Sequence, residues 1–410
     1  AFTQAQIPGI EKRSFPKELA GRNYKKNIPF FPESKLPELI KKFKVDYVYL
    51  CYSDLSHQEV MNKASIVLAN GANFALLGTN STYLKSKKPV ISITAVRTGS
   101  GKSRVSRKIA MYIKKKGYNV VVVRHPMAYG NLQKEEVQMF YNYNDLDKAN
   151  VTIEEREEYE QYIKYKIPIF AGVNYKKILE EAEKKADIIL WDGGNNDFSF
   201  FKPNLSIVLV DPRRAGNELS YYPGQVNLRM ADIILIHKMQ GTTKENLEIV
   251  YENIKKVNKK AKVIEINPLI LVENPNEIKN KHVLLIGDGP TLTHGGMAYG
   301  VANAAAKIYH AKEIVDAEKY AQGSIKQLYK KFPHLKKILP AMGYSKTQIK
   351  ELQETINKAK CDLVIDGSPF DIKKLIKINK KVINVDYDIN ENDLKEVYNV
   401  INKISKWRLF

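Results

Sequence analysis

The residues with the plainest chemical purpose are Arg97-Thr98-Gly99-Ser100-Gly101-Lys102-Ser103, a basic loop with two glycines one residue apart. Glycines at that spacing let successive backbone N–H groups turn toward one point, which is what a cluster of phosphate oxygens requires. Lys102 would reach the β- and γ-phosphates of a nucleoside triphosphate, and the Ser103 hydroxyl would ligate Mg²⁺. The apolar run Val90–Ala95 precedes the loop and the helical pattern Arg104–Lys115 follows it. Strand, glycine turn and helix are therefore in the order phosphate binding needs, with a helix N-terminus aimed at the anion. The GxxxxGK[ST] pattern is met except at its first glycine, where Val96 stands.

Other candidates follow apolar runs. Asp192, at the head of Asp192-Gly193-Gly194, is a metal candidate beside Ser103. Arg124-His125, Arg213-Arg214, Lys238 and His294 each come directly or shortly after a strand-like run. Ligands of open α/β sheets collect beyond the carboxyl ends of the strands, so these residues would line one cleft for a substrate carrying several phosphates or carboxylates. Taken singly, each arginine reads equally well as a surface ion-pair former and each histidine as a structural one. His237-Lys238-Met239-Gln240 occupies the place of the guanine-reading Asn-Lys-x-Asp. With Gln240 in place of the aspartate, guanine's N1 and N2 donors lose their partner, so ATP is expected rather than GTP.

The elements that must carry these residues follow from periodicity. Val45–Cys51, a helix near Ser56–Asn70 and Asn73–Leu77 read as a small α/β unit, and the broken pattern at Lys85–Pro89 marks a boundary. Beyond it, apolar runs at Asn119–Val123, Asp187–Trp191, Ser206–Val210, Asp232–Ile236, Val263–Ile266, Val283–Ile286, Leu363–Ile365 and Val382–Val385 mostly alternate with helical stretches. Continuous apolar strands separated by helices predict a parallel sheet covered on both faces. The expected fold is α/β: a small Rossmann-like domain over residues 1–88, then a large doubly wound, mainly parallel P-loop nucleotide-binding domain over residues 89–410. The acid-rich helix inside Val137–Tyr165 reads as a solvated face.

Composition narrows the class. Sixty-six Lys and Arg against 45 Asp and Glu leave a net charge of +21 over 410 residues, a field that attracts polyanions of any kind. No helix-turn-helix, zinc finger or RNP-type motif accompanies it, so nucleic acid is not the expected partner. Two isolated cysteines, Cys51 and Cys361, indicate neither a disulfide framework nor a zinc site, and fit a cytoplasmic enzyme. No apolar run is long enough to cross a bilayer. The chain begins at Ala1 without an initiator Met, so an upstream segment is expected.

Arg97 before the glycines resembles the second basic residue of the deviant Walker A loop in enzymes related to dethiobiotin synthetase. Over nearly the whole chain, Ala95–Ser103, Val123–Met127, Asp288–Met297 and Leu339–Ser345 resemble the cyclic 2,3-diphosphoglycerate synthetase family of P-loop proteins, some labelled predicted GTPases; Gln6–Ile10 and Tyr52–His57 extend the likeness. Members usually begin with a further strand and glycine-rich turn that this sequence lacks. The resemblance implies an archaeal, cytoplasmic enzyme that uses ATP to close a phosphoanhydride within 2,3-diphosphoglycerate, yielding a thermoprotective solute. It would place Lys102 and Arg97 on the transferred γ-phosphoryl, Ser103 and Asp192 on Mg²⁺, and Arg124, His125, Arg213, Arg214, Lys238 and His294 on the acidic substrate. A homodimer is compatible with the sequence. A nucleotide switch that hydrolyses without a metabolite is the alternative.

Overall fold

The computed structural model describes residues 2–4, 12–125, 130–193, 197–238, 241–293, 296–335, 337–341, 346–368 and 372–405. Runs of Val, Ile and Leu with no polar alternation cannot offer a face to water, and they become the centre of an eight-stranded sheet. Its strands are β1 (Val90–Ala95), β2 (Val120–Arg124), β3 (Gln138–Phe140), β4 (Ile169–Ala171), β5 (Ile188–Asp192), β6 (Leu205–Val210), β7 (Ile233–His237) and β8 (Lys262–Ile266). They lie in the order β8-β7-β6-β1-β5-β2-β4-β3. Strands β1, β2, β4, β5, β6 and β7 pair in parallel, and β3 runs antiparallel on β4.

Helix α1 (Lys102–Lys115) sets Val105, Ile109 and Ile113 into the core, and α2 (Ile153–Ile163) packs beside it. Helix α3 (Tyr175–Lys185) buries Ile178, Leu179 and Ala182 against Val121, Val123 and Trp191. Side chains alternate along a strand, so Arg124 and Asp192 face α1 while Val123 and Trp191 face α3. The two layers expected of a doubly wound sheet are both present.

The N-terminal α/β unit forms as read. Tyr47–Tyr49 and Asn73–Ala75 pair in parallel, with Ile40, Val67 and Ala72 in a small core. Ser56 caps the intervening helix His57–Ala69 by accepting from the Glu59 N–H while Glu59 returns a bond to the Ser56 N–H. The boundary expected at residue 88, however, does not separate the chain's two compact units. The first comprises residues 1–236, 243–264 and 395–410, and the second residues 237–242 and 265–394. Hydrogen bonds that a sequence pattern does not reveal hold the N-terminal part to the eight-stranded sheet's unit: Leu55–Ser56 pairs with Tyr221–Tyr222, and the Leu84 N–H donates to Phe200 O at 2.7 Å.

The second unit carries its own sheet: β9 (Pro268–Val272), β10 (His282–Asp288), β11 (Glu313–Ile314), β12 (Leu339–Ala341), β13 (Leu363–Gly367) and β14 (Lys381–Ile389). The order is β9-β14-β13-β10-β11, with β12 also on β10, around a core that includes Leu284, Leu285, Ala302, Ala305 and Val364. The stretch read as one large sheet therefore builds two. Buried parallel strands look alike in sequence whichever sheet they join.

Candidate functional site

The glycine loop has the geometry its composition asks for. Gly99 and Gly101 take φ of 78° and 94°, the left-handed region that a Cβ disfavours. The Ser100 hydroxyl donates to Arg97 O at 2.8 Å, closing the turn, and α1 begins at Lys102. Thr98 lies within the same turn. Lys102 is buried, and desolvation pushes its ammonium below the usual lysine range, with Asp192 partly opposing that shift. A cation held dry at a helix N-terminus is stabilised by an incoming anion.

Behind Lys102 is a charge network. The register of β2 against β5 puts Arg124 directly opposite Asp192, and Arg124 Nη1 donates to Asp192 Oδ2 at 2.6 Å. Tyr162 Oη donates to the same oxygen at 2.7 Å, and Ser106 Oγ to Oδ1 at 2.9 Å. Both carboxylate oxygens of fully buried Asp192 are thus occupied by protein. Arg124 Nη2 reaches Glu158 Oε1 at 2.9 Å, and although burial opposes its charge, Glu158 and Asp192 hold the guanidinium firmly protonated. The Ser103 hydroxyl donates to Glu158 Oε2 at 3.4 Å, while the oxygens of Asp192 are taken by Arg124, Tyr162 and Ser106.

That placement corrects the reading of α2 as a solvated acidic helix. Glu155, Tyr159 and Tyr162 are buried, and Glu158 faces the loop. Tyrosines at positions 159 and 162 sit one turn apart on the covered face, the 3.6-residue periodicity that the run of glutamates obscured.

A second cationic group stands on the other side of the loop. Arg213 forms a two-bond fork to Asp211, through Nε at 2.9 Å and Nη2 at 2.7 Å. Arg214 Nη2 lies 3.2 Å from both Asp211 Oδ2 and the Ser100 hydroxyl, so one predicted substrate cation touches the phosphate loop itself. Desolvation lowers the Arg214 pKa, opposed by Asp211. Arg97, expected on the γ-phosphoryl, is engaged elsewhere: Nε donates to Asp54 Oδ1 at 2.8 Å, Nη1 to Asn217, and the guanidinium stacks 3.6 Å from the Tyr221 ring centroid. Its role here is to tie the N-terminal segment to the loop.

His125 follows Arg124 but faces the opposite side of β2, against Tyr175 and Phe200. Its Nδ1 lies 2.9 Å from Tyr175 Oη and 3.2 Å from Asp197 Oδ2. Lys238 belongs to the second unit, where its ammonium meets Glu265 at 2.6 Å. His294 lies outside the described residues. The structure therefore gathers Lys102, Ser103, Arg124, Asp192 and Arg214 around the loop and holds Arg213 in place through Asp211, while Lys238 is accounted for within the other unit.

Several buried polar atoms near the carboxyl edges of β1, β2 and β5 have no hydrogen-bond partner among the described residues: Thr94 Oγ1, Arg124 Nε and Trp191 Nε1. Buried polar atoms left without partners cost stability.

No protein-family profile matches the chain. The chain is 52% identical over 406 residues to the arginine synthetase ArcE of Thermococcus kodakarensis, covering 99% of this chain and 91% of that protein. Among solved structures, apo-form LpxK from Aquifex aeolicus in complex with ATP aligns over 90% of this chain and 99% of its own at 12% identity and a TM-score of 0.44. The hydrogenase maturation factor HypB from Archaeoglobus fulgidus aligns over 44% of this chain and 81% of its own, at 16% identity and a TM-score of 0.30.

Proposed function

The chain belongs to the family of the arginine synthetase ArcE and is an ATP-dependent synthetase, and from that premise we propose that it forms a carbon–nitrogen bond of arginine's guanidino group. An ATP-dependent route to that bond has a definite chemistry. A ureido oxygen on an amino-acid side chain attacks the γ-phosphorus, and ADP leaves. A nitrogen nucleophile then adds to the activated carbon, and phosphate departs with that oxygen and its electron pair. For an unsubstituted guanidino group the nucleophile is ammonia.

The observation that carries the reading is Lys102, buried at the head of α1 between Gly101 and the Asp192–Arg124–Glu158 network, joined to the full-length likeness to a synthetase. In it the loop amides and Lys102 hold the triphosphate, and Arg214, through Ser100, adds positive charge at the mouth. Hard oxygen donors suit Mg²⁺, so Ser103 would ligate it with Glu158 oriented behind, and the ion would neutralise the β- and γ-phosphates. Asp192 instead fixes Arg124.

A second reading keeps the same site with 2,3-diphosphoglycerate as acceptor and the cyclic diphosphate, a thermoprotective archaeal solute, as product. The Arg214 guanidinium at the Ser100 hydroxyl of the loop favours it, since a bis-phosphorylated acid wants a guanidinium partner. ADP release should be followed with each acceptor in turn, ureido amino acid plus ammonia or 2,3-diphosphoglycerate, in Mg²⁺-containing cytoplasm-like buffer. Release driven by the ureido acid and ammonia supports arginine synthesis; release driven only by diphosphoglycerate overturns it.

A further inference from the structure

The N-terminal segment delivers a carboxylate to the phosphate loop. Leu55–Ser56 pairs antiparallel with Tyr221–Tyr222, and Ser56 caps the helix His57–Ala69, so the backbone following Asp54 is fixed at two points. Asp54 itself takes φ of 59°, a left-handed conformation that few non-glycine residues adopt and that aspartate and asparagine tolerate better than most. From there its Oδ1 accepts from Arg97 Nε at 2.8 Å, with 10% side-chain exposure left to Arg97 and 14% to Asp54.

That bond uses half of the carboxylate: among the described residues, Oδ2 makes no hydrogen bond. Arg97 has other holds, since Asn217 accepts from Nη1 and the Tyr221 ring centroid lies 3.6 Å from the guanidinium. Asp54 also acts on the other cations of the loop. Desolvation lowers the pKa of Lys102 and of Arg214, and Asp54 is among the anions that draw both back up. Its charge is thus within electrostatic reach of the lysine assigned to the β- and γ-phosphates and of the guanidinium at the Ser100 hydroxyl. A carboxylate there repels a triphosphate. What it favours is positive charge that develops beside the γ-phosphate.

The arginine-forming reaction develops such a charge, and the inference rests on that reading. As the ureido oxygen's electron pair bonds to the γ-phosphorus, ADP takes the pair of the broken P–O bond, and one positive charge spreads over the ureido carbon and its nitrogens. Ammonia then adds to that carbon. Phosphate leaves with the oxygen, its electron pair and one ammonia proton, and the charge stays on the guanidinium. We propose that Asp54 is the charge partner of the ureido group, its Oδ2 accepting from the ureido N–H groups and stabilising the cation through both steps, with Arg97 positioning the carboxylate.

Calorimetry on the full chain with ADP and Mg²⁺ tests it, the probes being arginine and the ureido amino acid of equal length. Wild type should bind arginine at least about 10-fold tighter than the uncharged ureido acid, as a charge-assisted bond requires. Asp54→Asn leaves an oxygen for Arg97 Nε and suits the left-handed backbone. It should weaken arginine about 10–100-fold and the ureido acid less than about 5-fold, leave ATP bound no more weakly, and lower kcat for arginine formation. Asn217→Ala, which loosens Arg97 and keeps the carboxylate, should retain the preference for arginine. Equal wild-type affinities for the two probes, an Asp54→Asn chain that keeps the preference, or an Asn217→Ala chain that loses it to the same extent overturns this inference alone. So does an Asp54→Asn effect confined to a raised Mg²⁺ requirement. A wild-type chain that makes no arginine overturns the parent reading and this one with it.

Discussion

Arg124 and Asp192, 68 residues apart in sequence, are direct cross-strand partners whose side chains meet at 2.6 Å on the covered face of the sheet. The pair is almost wholly excluded from water, at 5% and 0% side-chain exposure. Removing Asp192 leaves buried Arg124 with Glu158 alone as counter-charge and strands the hydroxyls of Ser106 and Tyr162. Asp192→Ala should therefore destabilise the first unit by about 3–5 kcal/mol, read from denaturant unfolding. A loss under about 1 kcal/mol would show that water reaches Arg124.

Glu158 is the carboxylate behind Ser103. Glu158→Gln should raise the Mg²⁺ concentration needed for half-maximal turnover by about 10–100-fold, the effect of removing an outer-shell partner of a metal ligand. Titration of activity with Mg²⁺ at saturating ATP would check it. An unchanged requirement would leave Glu158 with Arg124 alone.

Lys102 has a lowered pKa because burial desolvates its ammonium. As pH rises toward that value the empty site loses protons before an exposed lysine would, and triphosphate binding restores them. Nucleotide binding should then take up protons, increasingly so on the alkaline side of neutrality. Calorimetry in buffers of different ionisation enthalpy measures the uptake, and Lys102→Ala should abolish it.

Asp211 is held below the usual aspartate range by Arg213 and Arg214, against the desolvation that would raise it. A carboxyl depressed in the folded state contributes stability above its unfolded pKa of about 3.9, and that contribution disappears as pH falls through the folded value. Acid unfolding below about pH 4 should be shallower in Asp211→Asn than in wild type. Equal slopes would place the acid sensitivity elsewhere.

Gly224 shows what packing requires and local sequence does not announce. A Cβ there would lie 2.2 Å from Val96 O, the backbone just before the phosphate loop. Gly224→Ala should cost about 1–3 kcal/mol and weaken nucleotide binding by displacing the loop, seen in thermal unfolding and ATP titration. Wild-type behaviour in both would mean that the helix Gly224–Met230 shifts without consequence.

The phosphate loop was legible because its parts are contiguous: apolar strand, glycines, lysine and helix lie in about 25 residues. The eight apolar runs also became strands, since continuous burial leaves its mark along each one. Glu158 was hidden because its value lies in which residue α2 faces, and its glutamate-rich surroundings suggested solvent. Arg97 and Arg213 looked like phosphate ligands by position, but Asp54, Asn217 and Asp211, distant or turned by local geometry, occupy them. The second sheet escaped because periodicity records burial and says nothing of which strands are neighbours.

In the arginine-forming reaction proposed for the chain, ATP activates an acceptor oxygen held before Lys102. Turnover with a ureido amino acid carrying oxygen-18 in its carbonyl, followed by mass analysis of the released phosphate, tests it most directly. The heavy oxygen should leave in inorganic phosphate as arginine forms, and Lys102→Ala should release neither. Unlabelled phosphate accompanying arginine formation would contradict it.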